Sequence, residues 1–77
     1  MQIGGGYVAT TNGLSNRCYV VRLADGYMAQ VDVGADYVCN SVMYVNDTEV
    51  GVAVNRAGDM TRTYELWMVS HDALTFR

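Results

Sequence analysis

Val50, Val52 and Val54 alternate with Gly51, Ala53 and Asn55, a period-two stripe that predicts a strand with one buried face. Similar runs, rich in Val, Tyr and Thr, recur along the chain between short gaps holding Gly, Asp or Asn. No eleven-residue segment shows the three-and-four apolar spacing of an amphipathic helix. The runs place strands at 7–11, 17–23, 27–33, 37–45, 48–56 and 61–69. From residue 23 onward every connection has four residues or fewer, so sequential strands are expected to be antiparallel neighbours. The expected fold class is all-β, a small antiparallel meander of five or six strands, forming a rolled sheet or partly closed barrel. A sheet completed by stacking on a second copy is the alternative.

Two hairpins carry most of the detail. Ala24-Asp25-Gly26 suits a three-residue loop with Gly26 in the left-handed position. That register pairs Leu23 with Tyr27, Val21 with Ala29 and Tyr19 with Val31, and sends all six to one face. Asn46-Asp47 is the expected turn of the second hairpin, which sets Val50, Val52 and Val54 opposite Met43, Ser41 and Cys39. Val38, Val42 and Tyr44 then fall on the other face, so this hairpin is apolar on both sides. The strand at 61–69 repeats the problem, with Tyr64, Leu66 and Met68 on one face and Trp67 and Val69 on the other. Residues 1–6, with Gly4-Gly5-Gly6, read as a flexible leader to a single β domain over 7–77. Asn12-Gly13 and the stretch from Ala57 to Met60 read as turns. His71 to Arg77 reads as a short helical turn capped by Ser70 or Asp72, or as one more short strand.

Composition narrows the function classes. At 77 residues there is room for one small core and no second domain. Net charge is −3, with five Arg and no Lys, which argues against a nucleic-acid partner because phosphates need a basic field. No apolar run is long enough for a membrane-spanning helix, so no membrane partner is expected, and the location is read as cytoplasmic. Cys18 and Cys39 fit two reduced structural thiols, with a single disulfide as the alternative.

Candidate chemistry is sparse. Gly4-Gly5-Gly6 lacks the preceding strand and following helix of a phosphate loop. His71 is the lone histidine and reads as a surface or capping residue; Ser70, Cys18 or Cys39 would have to reach it for nucleophilic catalysis. Cys18, Cys39, His71 and Asp72 lack the spacing of a zinc site, and no cofactor is expected. The aromatic residues carry more interest. Tyr, Trp, Met and Arg with no Lys is the composition of a protein interface. The expected function is a non-enzymatic protein-binding module, either a component of a homo-oligomeric assembly or an inhibitor of a larger protein. Its partners would be itself, as a dimer or higher, or that larger protein. Trp67, Tyr64, Tyr44 and Met43 are the expected contact residues, because one layer of core needs only one apolar face. A single-stranded nucleic-acid binder using aromatics on a sheet is the alternative.

Overall fold

Alternating β-branched residues and short polar gaps fold into strands, as the pattern predicts. The computed structural model describes residues 1–12, 17–58 and 63–77. Among these, β1 (Gln2–Gly4), β2 (Tyr7–Asn12), β3 (Arg17–Arg22) and β4 (Met28–Val31) form one antiparallel sheet in sequence order. β5 (Tyr37–Val45), β6 (Glu49–Arg56) and β7 (Glu65–Ser70) form a second. The fold is all-β, and each sheet is a meander. The break falls between β4 and β5, so the chain makes two facing sheets and not a closed barrel. Gly13 and the Asp59–Met60 part of the expected turns, with residues 61–62 of the expected last strand, lie outside the described residues.

The core between the sheets is made of small side chains. Ala9, Cys18, Val20, Ala29 and Val31 from the first sheet meet Cys39, Val42, Val45, Val50, Val52 and Val54 from the second. Cys18 and Cys39 form a disulfide across it, joining β3 to β5. The expectation of two reduced thiols is corrected. Both cysteines are fully buried on facing strands with Cα atoms 6.0 Å apart, a separation that a disulfide spans.

Three local expectations also change. The Gly4–Gly6 segment is no loose leader. Gly4 pairs with Tyr7, and Gly5 and Gly6 take φ of 60° and 86° in the two-residue hairpin turn between β1 and β2. A Cβ at Gly4 or Gly5 would collide with the backbone of Val45, Asn46 and Asp47, so these glycines let β1 lie directly on the β5–β6 turn.

The β3–β4 register is slipped by one from the expected one. Val20 pairs with Ala29, Val21 with Met28 and Tyr19 with Gln30. The loop is the four residues Leu23–Gly26, closed by Arg22 N–H to the Tyr27 carbonyl at 2.8 Å. Asp25 holds it, accepting from the Tyr27 N–H at 3.0 Å and from the Arg22 guanidinium at 2.7 Å, and this pairing keeps its carboxyl below the usual carboxylate range. Gly26 does take the left-handed conformation. The slip turns β3 over, while Ala29 and Val31 of β4 stay inward as expected. Cys18 and Val20 point inward, while Tyr19 and Val21 are only half-buried and Tyr27 is exposed.

β5 departs from simple alternation. Cys39 pairs with Val54 as expected, but register shifts at Asn40 and Met43 bring Val42 opposite Val52 and Val45 opposite Val50. Each bulge inserts one residue, so Cys39, Val42 and Val45 all face the core at a spacing of three. The Val42 N–H, between the two bulges, is satisfied from the other sheet, donating to the Thr11 hydroxyl oxygen at 3.0 Å. The turn is Asp47-Thr48, with the Asn46 side-chain carbonyl accepting from the Thr48 and Glu49 N–H groups.

After β7, Ser70 caps a 3-10 turn over His71–Ala73, its hydroxyl accepting from the Asp72 N–H. His71 is buried, contrary to the expected surface position. Its ring stacks on Tyr7 at 3.9 Å between centroids, and its Nε2 lies 2.8 Å from the Asn46 carbonyl oxygen. A carbonyl can only accept, so Nε2 carries the proton and donates. The tail then returns to the first sheet, where Arg77 and Met28 exchange both backbone hydrogen bonds at the edge of β4.

The disulfide closes 21 residues of sequence separation in a domain with a small core. Chain-entropy reasoning assigns it about 3 kcal/mol. Reduction, or the double change Cys18→Ala and Cys39→Ala, is expected to lower stability by about that amount in denaturant unfolding. An unchanged midpoint would show that the sheets hold together without the bond.

Candidate protein-binding surface

The outward faces of the sheets follow from what the core takes. In the second sheet Val42, Val52 and Trp67 lie in one inward row. The rows on either side point outward, one running Tyr44, Gly51, Met68 and the other Ser41, Ala53, Leu66. Leu66 is 60% exposed and Met68 45%. Met43 sits in the β5 bulge at 52% exposure, with its sulfur 3.6 Å from the Ser41 hydroxyl. Tyr64, immediately before β7, is 56% exposed.

Of the four residues expected at a contact surface, the structure brings Tyr44 and Met43 to this outer side. Tyr64 stands at the start of β7. Trp67 faces the other way. It packs on the core, with its ring 4.9 Å from that of Tyr37. Leu66 and Met68 complete the outer surface. Their shared face with Tyr64 follows from the alternation of the last strand, and Trp67 takes the opposite, inward face.

Tyr44 organises the centre. Its ring lies over Gly51, where a Cβ would run into it, and its hydroxyl reaches the Met68 sulfur at 2.8 Å and Glu49 Oε1 at 3.4 Å. Burial by these neighbours, the Glu49 charge and the hydrogen bond to Glu49 all push the phenol above its ordinary value. Glycine at position 51 is thus a seat for an aromatic ring.

The first sheet also carries an apolar row on its outer side, which register error hid from sequence reading. Ile3, Val8, Val21 and Met28 are consecutive cross-strand partners. Ile3 and Met28 are exposed and the two valines half-buried. A groove of about 680 Å³ lies beside it, lined by Tyr19, Gln30, Asp32, Leu74 and Arg77 among others.

Nucleophilic chemistry is not assembled among the described residues. Cys18 and Cys39 are bonded to each other, which removes both as nucleophiles or metal ligands. The His71 Nε2 proton is given to a backbone carbonyl, and Nδ1 is buried with no hydrogen-bond partner among the described residues. Two arginines sit on rings at the margins. Arg22 lies 4.7 Å from the Phe76 ring centroid and Arg56 5.9 Å from that of Tyr37. No protein-family model matches the chain, and neither a curated protein nor a solved structure matches it.

The Tyr44–Gly51 seat gives a coupled prediction. Gly51→Ala is expected to destabilise by about 1–3 kcal/mol through overpacking. In a Tyr44→Ala background the same change is expected to be neutral, or stabilising by about 0.5–1 kcal/mol, because only the glycine entropy is then removed. Additive effects in the cycle would unseat the ring.

Tyr44 also carries a pH signature. A phenol raised by folding contributes stability that is complete below the ordinary tyrosine value and lost as pH rises through the folded value. Glu49→Gln should move the late-titrating tyrosine downward in an ultraviolet titration and reduce that alkaline loss. A titration curve that does not move would remove Glu49 as a cause.

Proposed function

We propose that this protein is a non-enzymatic protein-binding module, acting as a component of a homo-oligomeric assembly or as an inhibitor of a larger protein. One observation carries the reading. The core is filled by Val, Ala and Cys alone, while Leu66, Met68 and Met43 stand half exposed beside Tyr44 on one outer sheet face. Covering each of them is worth on the order of 1 kcal/mol at this exposure, so a partner laid on that face would gain directly from burial. Tyr and Met beside an apolar centre, with no Lys, also suits a protein contact.

The second sheet is favoured over the first because its face adjoins an edge without a backbone partner among the described residues. The edge of β4 is taken at Met28 by Arg77. Contact residues are therefore Tyr44, Met43 and Tyr64, joined by Leu66 and Met68, with Trp67 supporting the strand from beneath. The nucleic-acid reading has less support. The outer face carries the Glu49 carboxylate, and Arg22 is ion-paired with Asp25. No helix among the described residues is long and apolar enough to cross a membrane. A structural disulfide in so small a domain favours an oxidising compartment over the cytoplasm expected from sequence.

A photo-crosslinking side chain placed at Met43 tests the contact in the source cell, with the same group at Asp32 as control. Discrete adducts from position 43 and none from position 32 are the expected result. Equal yields from both, or none from either, would overturn the assignment of this face.

A further inference from the structure

We propose that β7 is the seam of a homodimer, in which β7 of one copy pairs antiparallel with β7 of a second copy across a two-fold axis. The inference rests on the reading of the outer face as a protein contact and narrows the partner to this same chain. Its starting point is the direction of the backbone groups. His71 donates to the Thr48 carbonyl, and Asn46 donates to the Glu49 carbonyl. With the registers of β5–β6 and β6–β7, these bonds set Val50, Val52 and Val54 hydrogen-bonding toward β7. Their partners Val69, Trp67 and Glu65 use their backbone groups on β6. Leu66 and Met68 therefore aim N–H and C=O away from β6, and neither group meets a partner among the described residues.

An edge of this kind is what proteins guard with Pro, Lys or a bulge. β7 has none of these. Its register against β6 runs without a shift, and the chain contains neither Lys nor Pro.

The second copy is favoured by self-complementarity. Antiparallel strands keep their faces only if paired positions have the same parity, and pairing Trp67 with Trp67 of the partner subunit satisfies this. Leu66 then lies opposite Met68 of the partner subunit, and by symmetry Met68 opposite Leu66 of the partner subunit. These are the residues whose backbone groups point outward, so four hydrogen bonds close across the seam. The outer rows also join. Tyr44, Gly51 and Met68 run into Leu66, Ala53 and Ser41 of the partner subunit, so the bulky row of one copy meets the small row of the other. Charge allows it. The two Glu65 carboxylates fall at opposite ends of the seam, each facing Val69 of the partner subunit, so no like charges oppose. The product is a six-stranded sheet with one continuous apolar outer face. An edge seam buries little area, so the dimer should be reversible, with a dissociation constant on the order of tens of micromolar.

The test uses the full oxidised chain in a dilution series read by light scattering and by amide hydrogen exchange. The expected result is a dimer mass at about 1 mM that falls to the monomer on dilution by about a thousandfold. Protection of the Leu66 and Met68 amides should fall with it. Met68→Pro removes a seam donor that the monomer does not use, and it should stay monomeric throughout with an unchanged circular dichroism spectrum. The exchange measurement carries the test without any variant should that one fail to fold. A monomer mass at every concentration overturns the seam, as does a dimer in which both amides exchange freely. Met43→Lys, two strands away, separates the two readings. A dimer abolished by Met43→Lys and retained by Met68→Pro keeps the outer face as a contact and removes the seam. Cross-linked adducts from position 43 with a strictly monomeric chain would do the same.

Discussion

Among the described residues, the side chains fully buried between the two sheets are no larger than valine. The fully buried side chains are Val20, Val31, Val50, Val52, Val54, Cys18, Cys39 and Ala9, and this limit decides where every larger apolar residue goes. Close-packed small side chains bring the sheets near each other, and neither Tyr nor Met fits between them. The aromatics are displaced to the ends of the core, where Tyr7, His71 and Phe76 close one opening and Tyr37 and Trp67 pack together on its border. The unbranched and γ-branched chains of Met43, Met68 and Leu66 are displaced further, to the outside. An apolar surface is thus a direct consequence of a thin core.

A thin core also explains the cross-links that surround it. A small domain buries a modest share of its surface, and valine gives less burial per residue than leucine or phenylalanine. The disulfide offsets part of that shortfall by tying the sheets at Cys18 and Cys39. At the far end the tail adds a second tie. Phe76 lies under the Arg22 guanidinium, and Arg77 exchanges backbone hydrogen bonds with Met28. The chain leaving the second sheet is thereby fastened to the edge of the first, and the two sheets are held at both ends.

Much of the fold was legible because strand alternation is a local signal. The Val50–Val54 stripe and the strands either side of Asp25-Gly26 are set by neighbours in the chain, and the Ser70 cap is one of the alternatives that the local sequence offers. The misreadings share one cause. A register chosen for the cleanest separation of apolar from polar side chains ignores which sizes the core accepts. Such a register puts Tyr19, Val21 and Leu23 inside, whereas the core takes Cys18 and Val20. On β5 the inward set Cys39, Val42, Val45 is spaced by three, which no period-two template contains, since two bulges supply the extra residues. The glycine run was read as entropy, while its role is steric and depends on where Val45 and Asn46 lie in space. Part of the outer apolar face was legible for a related reason. Tyr44 and Met43 were found because their hairpin was apolar on both sides, yet which side of β7 faces out depends on the register of β6 against it.

Edge treatment shows how far the molecule has gone toward hiding its unpaired backbone. β1 lies on the β5–β6 turn through Gly4 and Gly5, the Met28 end of β4 is taken by Arg77, and the irregular stretch of β5 receives the Thr11 hydroxyl. Each of these arrangements uses a contact between distant parts of the chain, and each falls on a strand that borders the other sheet or the tail. β7 borders neither along Leu66 and Met68. The same strand carries Leu66 and Met68 at 60% and 45% exposure, so backbone groups without a partner among the described residues coincide there with exposed apolar side chains. Unpaired backbone groups and apolar side chains are thus exposed together on β7, the kind of edge that folded proteins ordinarily cover or guard.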